Sequence, residues 1–203
     1  MKNILSLNLR AWWAALKAIV VFTVIVVVYT FVMTGIGQLG MPDQANGSMI
    51  TNADGEVVGS SLIGQNFTDA DGNALPQYFQ PRPSAAGDEG YDASASSGTN
   101  KGHKDKEYLK TIAQRRKEIA KREGVKPQDV PADATTASSS GLDPHISPEY
   151  ANIQVKRVAK ARGMSEEKLE QMVKDHTTGR GLGFLGDPAV NVVTLNNDLD
   201  KLD

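Results

Sequence analysis

The sequence predicts a small sheet flanked by helices, an α/β (α+β) domain outside the cytoplasm, carried on one N-terminal transmembrane helix. Three observations predict it. Residues 18–41 are 24 uncharged, mostly apolar positions. Capping signals at Ser147 and Ser165 announce helices, and residues 190–195 (VNVVTL) have strand composition. The charge is also divided. Residues 1–42 hold Lys2, Arg10 and Lys17 with no acid, so the remainder carries 19 basic and 24 acidic groups, net −5. A chain of 203 residues so divided, without cysteine, excludes a multidomain enzyme, a disulfide-stapled scaffold and a general nucleic-acid binder.

The apolar run comes first. A bilayer core about 30 Å thick needs about 20 apolar residues at about 1.5 Å rise each, and this run supplies them. Its β-branched residues are mediocre helix formers in water. In lipid the backbone must satisfy its own hydrogen bonds, so a helix over about residues 14–36 is expected. Basic residues before the span, and Asp43 as the first charge after it, put the N-terminus in the cytoplasm and residues 43–203 outside. Trp12, Trp13 and Lys17 fit an inner interfacial anchor. Ala11, Ala14, Ala15 and Ala18 would let another helix approach closely. A cleaved signal peptide is the competing reading; the run exceeds the usual apolar region and no clean A-x-A site follows it.

Beyond residue 42, Asn46-Gly47 and Asp54-Gly55 mark turns around short candidate strands, Val57-Val58 and Ser61-Leu62-Ile63. Residues 91–99 (YDASASSGT) read either as a mobile linker or as an ordered binding loop. A helix is predicted over 105–123, with Leu109, Ile112, Ala113, Ile119 and Ala120 as its apolar stripe and Gly124 as its C-cap. Residues 101–126 carry ten basic and four acidic groups, either a solvated face or a contact with anionic headgroups or an acidic partner. Ser147-Pro148-Glu149 starts a second helix ending at Gly163. Ser165 caps a third, which buries Leu169, Met172 and Val173.

Catalytic patterns are sparse. His103, His145 and His176 have no metal-ligand spacing. Asp143-Pro144-His145 reads as a loop stapled by its own hydrogen bonds, with an acid–base pair as the alternative. The glycine loop at 179–186 (GRGLGFLG) lacks the Lys-Ser/Thr of a P-loop, and no serine sits in a G-x-S-x-G elbow. An anchored enzyme using Asp143 and His145, or a solute-binding module, are readings that these residues leave open.

Residues 140–148 (SGLDPHISP) resemble the hallmark of the C subunit of the Kdp potassium-transporting ATPase. Residues 60–67 (SSLIGQNF), 78–85 (YFQPRPSA) and 190–196 (VNVVTLN) match in order. Residues 69–77 look like an insertion, and residues 99–106 depart from the usual pattern. The resemblance implies an accessory, non-catalytic subunit of an inner-membrane potassium pump. Its partners would be a channel-like A subunit, a catalytic P-type ATPase B subunit, a small F subunit and membrane lipid, with no nucleic acid. ATP and K⁺ would be used by the complex rather than bound here as cofactors. Gly141, Leu142, Asp143, Pro144, His145, Ser147 and Pro148 are then the hallmark residues, and Gln154 matches a glutamine implicated in assisting ATP binding.

Overall fold

The computed structural model describes residues 2–202 and divides the chain into two compact units, residues 1–48 and 49–203. In the first unit, α1 runs from Lys2 to Gly40. Its stretch Leu9–Gly40 has mean hydropathy 2.6 and is long and apolar enough to cross a membrane. The helix extends past the expected 14–36 at both ends, because no proline interrupts residues 2–40. Pro42 then opens the short α2 (Pro42–Ala45), and Asn46 closes it through its Nδ2 donation to the Pro42 carbonyl at 2.7 Å.

The second unit mixes helices with two small sheets. Strands β1 (Met49–Thr51) and β2 (Val57–Ser60) form a bulged antiparallel hairpin. Asn52 organises its turn: Oδ1 accepts from Asp54 N at 3.1 Å and Glu56 N at 2.9 Å. Ser61, Leu62 and Ile63 are a turn rather than the expected strand, because the Ser60 hydroxyl and carbonyl capture the amides of Leu62 and Ile63. Among the described residues no helix or strand lies between Ser60 and Lys106.

Helix α3 (Lys106–Glu123) begins at Asp105, whose side chain accepts from Tyr108 N, and ends at Gly124. A 3₁₀ turn, Pro127–Asp129, follows. The predicted stripe is buried only at its C-terminal end, Ile119 and Ala120; Leu109 stays exposed. Strand β3 (His145–Ile146) leads into α4 (Pro148–Arg162), capped by Ser147 and stopped at Gly163 as expected. Helix α5 (Glu166–Asp175) is capped by Ser165 and buries Leu169 and Val173, while Met172 is only partly buried.

Strands β4 (Thr177–Thr178) and β5 (Ala189–Asn191) complete a three-stranded antiparallel sheet in the order β3-β5-β4. Here the sequence expectation is corrected. The run 190–195 is strand only to Asn191; α6 (Val192–Asp200) takes the rest. Asn191 Oδ1 accepts from Val193 N and Thr194 N, both at 3.1 Å, which is an N-cap. Val192, Leu195 and Leu199 then recur at helical spacing, and all are fully buried. Burial of that stripe outweighs the β-propensity of the valines. With Phe79, Tyr150, Val158 and Val190 they form one core.

Candidate functional site

The irregular stretch between β2 and α3 lacks a ladder, so its buried backbone groups need other partners. Two amide side chains supply them. Asn196, on α6, accepts from Phe79 N through Oδ1 and donates from Nδ2 to Phe79 O, both at 2.9 Å. Gln154, on α4, accepts from Gln80 N at 2.7 Å and donates to Gln80 O at 3.1 Å. Both amides are fully buried, and each imitates a neighbouring strand for one residue. Gln80 passes the device on, its own Nε2 donating to Phe67 O at 2.9 Å.

Arginines hold the same segment from the side. Arg157 donates from Nη1 to Pro76 O at 2.7 Å and Tyr78 O at 2.9 Å, and from Nη2 to the Gln154 oxygen at 2.8 Å. Its Nε pairs with Glu123 at 2.8 Å, and Arg122 binds the other oxygen of that carboxylate. The Glu123 side chain is wholly inaccessible to solvent. Arg122 also donates to the Tyr150 hydroxyl at 3.0 Å. Arg162 lies over the Tyr78 ring, 5.0 Å from its centre, and pairs with Asp200 at 2.6 Å.

The stretch 138–148 forms a ledge against this scaffold. Its carbonyls are taken by distant partners: Ser140 O by Ser97 N at 2.9 Å, Leu142 O by Gly64 N at 2.8 Å, and Pro144 O by Val192 N at 2.9 Å. The Ser84 hydroxyl donates to Gly141 O at 2.6 Å. Two glycines are required by close approach. A Cβ on Gly64 would stand 2.3 Å from the Tyr91 ring. Gly141 has φ +70°, and its Cβ would meet Ser97 O at 2.6 Å. Residues 91–99 are therefore ordered by the ledge, with Tyr91 donating to Arg82 O at 2.9 Å. Burial, then the charge of Asp143, raises the Tyr91 phenol far above its ordinary pKa.

At the ledge's outer edge, Asp143 Oδ1 accepts from His145 N and lies 3.0 Å from His145 Nδ1, while Oδ2 pairs with Arg82 at 3.4 Å. Asp133 accepts from Ser147 N at 2.7 Å and Ser147 Oγ at 2.9 Å, locking the start of α4. These groups face an open groove of about 480 Å³, which Glu149 and Asp187 also line.

A family profile described as "KdpC: K+-transporting ATPase, c chain" matches residues 12–201. The potassium-transporting ATPase KdpC subunit of Geobacter metallireducens is 49% identical over 189 residues, 93% of this chain and 96% of that protein. The KdpC subunit of Mycobacterium bovis is 50% identical over 191 residues, covering the same shares. That of Citrifermentans bemidjiense is 50% identical over 189 residues, 93% and 95%. The chain belongs to the KdpC family.

The four strings that carry the KdpC resemblance are far apart in sequence and meet in one place. Residues 60–67 touch 140–148 through Gly64 and touch 190–196 through Ser61 O, which accepts from Asn191 Nδ2 at 2.7 Å. Residues 78–85 touch 190–196 through Asn196 and touch 140–148 through Ser84 and Arg82. Among the hallmark residues, Gly141, Leu142 and Pro144 bind through backbone, Asp143 and His145 through each other, and Ser147 and Pro148 start α4. Gln154 sits in the core, not in the groove. Trp12, Trp13 and Lys17 are exposed on α1.

Sequence reasoning held Gln80, Arg82 and Asn196 only as members of the matching strings, with no role assigned, and missed Glu123 and Arg157. One signal was present for Glu123: an acid in the last turn of a basic helix opposes the helix dipole and needs a compensating cation. Among the described residues, no group of three or more ligating side chains could hold a metal ion.

Asp143 gives the ledge a pH dependence. Burial pushes its carboxyl up, but the His145 side-chain and backbone hydrogen bonds, with the charges of His145 and Arg82, outweigh that and lower its pKa. A depressed carboxyl stabilises the fold above its unfolded value, about 3.9, and loses that contribution as pH falls through the folded value. Asp143→Asn should therefore lower the urea midpoint of the full chain in micelles at pH 7. The difference should narrow as pH falls below the ordinary carboxyl value of about 3.9. Equal midpoints at pH 7 would contradict the staple.

Proposed function

We propose that this chain is an accessory, non-catalytic subunit of an ATP-driven potassium uptake complex. It stabilises that assembly and caps the external ion entrance. In this reading α1 packs among partner helices in the inner membrane, with the N-terminus in the cytoplasm and residues 43–203 outside. The partners are the channel-like A subunit, the P-type ATPase B subunit and the small F subunit. The observation that carries the reading is how the motif residues are used. Asn196 and Asp143 of the matching strings, with Gln154, bind the chain's own backbone, which makes a rigid body suited to docking.

Help to ATP binding then runs through shape. The Gln154 amide already makes three hydrogen bonds in the core, so it acts by holding residues 76–80 rather than by touching nucleotide. Residues 43–100 hold eight acids and one arginine, which raises local K⁺ within about one screening length, about 8 Å.

Deleting residues 49–203 tests the proposal. The expected result is that the remaining subunits no longer copurify as a complete complex, or lose K⁺-stimulated ATP hydrolysis. Normal assembly and normal hydrolysis without the domain would overturn it.

A further inference from the structure

The ends of α3 and α4 form a second groove, of about 510 Å³, that the KdpC motifs do not enter. Lys121, Lys156 and Lys160 stand on its rim. Its floor holds Arg122, Arg157 and Glu123, and Pro76 and Ala161 add apolar wall. Five cations thus face one carboxylate, and Glu123 is buried and already shared by two arginines. Lys156 and Lys160 are one turn apart on the exposed side of α4, whose other side buries Gln154, Val155, Val158 and Ala159. Among the described residues no ion pair engages Lys121, Lys156 or Lys160.

We infer that this groove seats the headgroup of an anionic phospholipid. Three features favour lipid over an acidic protein. The rim cations are lysines, flexible point charges that follow a diffuse anionic layer, whereas a fixed carboxylate partner favours the planar fork of arginine. Lysine stems with Pro76 and Ala161 make the walls aliphatic beneath a cationic rim, which complements an amphiphile with an anionic head. Residues 41–48 alone join the last turn of α1 to β1. Four of them are helical in α2, so this short link ties the second unit to any bilayer that α1 crosses.

The chain has no cysteine, so Ala161→Cys places a single environment-sensitive fluorophore at the groove. The full chain is reconstituted in nanodiscs of phosphatidylcholine alone or with about one-third phosphatidylglycerol. A blue shift is expected only with the anionic lipid, and it should collapse in about 1 M salt, where the screening length is about 3 Å. Each lysine near an anionic surface contributes roughly a fivefold gain, so Lys121→Gln, Lys156→Gln and Lys160→Gln together should weaken the contact about a hundredfold. The matching triple arginine variant should retain the shift, and circular dichroism should show both variants folded. The inference is overturned by equal emission in both lipids or by a shift that survives the triple glutamine variant. It is also overturned by an equal shift from a label at Ala70→Cys, or by a response to an acidic polypeptide but not to phosphatidylglycerol.

Discussion

Replacing Glu123 by alanine should unfold the second unit more readily than any other single truncation on α3. The carboxylate is inaccessible to solvent and bridges Arg122 and Arg157. Removing it leaves two guanidinium groups, with 28% and 11% of their side chains exposed, without the carboxylate that both bind. Breaking a buried pair in this way costs about 3–5 kcal/mol. For a domain of this size that lowers the melting temperature by about 10 °C. Glu123→Gln keeps the shape and restores some hydrogen bonds but not the charge, so it should fall between wild type and alanine. Thermal melts of the full chain in micelles, followed by circular dichroism, give the ranking. An alanine variant that melts with wild type would show that the bridge contributes nothing.

The second large effect is expected at Gln154. Gln154→Leu has similar bulk but leaves the amide and carbonyl of Gln80 buried without partners. Each orphaned group costs about 1–3 kcal/mol, so a loss of about 4 kcal/mol is expected. Arg157 also loses an acceptor at 2.8 Å. Two measurements on the assembled complex separate shape from contact. If Gln154 acts by holding residues 76–80, the variant should lose thermal stability, and weaker ATP binding should track the loss of folded subunit. Unchanged stability with weakened ATP binding would mean that Gln154 itself meets nucleotide, and the structural reading of this residue would fail.

These two sites also show where sequence reading stops. The serine at 147 announces a helix because an N-cap acts within three residues of itself. Ser165 and the stop at Gly163 are equally local. The run 190–195 misled because two local signals compete there, β-branched composition and an asparagine cap. The outcome turns on which face finds a core. Residues 91–99 were undecided for a related reason. Their order comes from Ser140 and Gly141, more than forty positions away, and no composition records that.

The amino-acid order alone fixed the apolar anchor, the uneven division of charge, three helix starts and the four strings that mark the KdpC family. Each depends on neighbours within a turn or two, or on matching text. The tertiary structure alone decided that Gln154 clamps Gln80 across 74 residues and Asn196 clamps Phe79 across 117. It also decided that one buried glutamate serves two arginines. A side-chain amide can bond many backbones, and the chain's path through space selects which one.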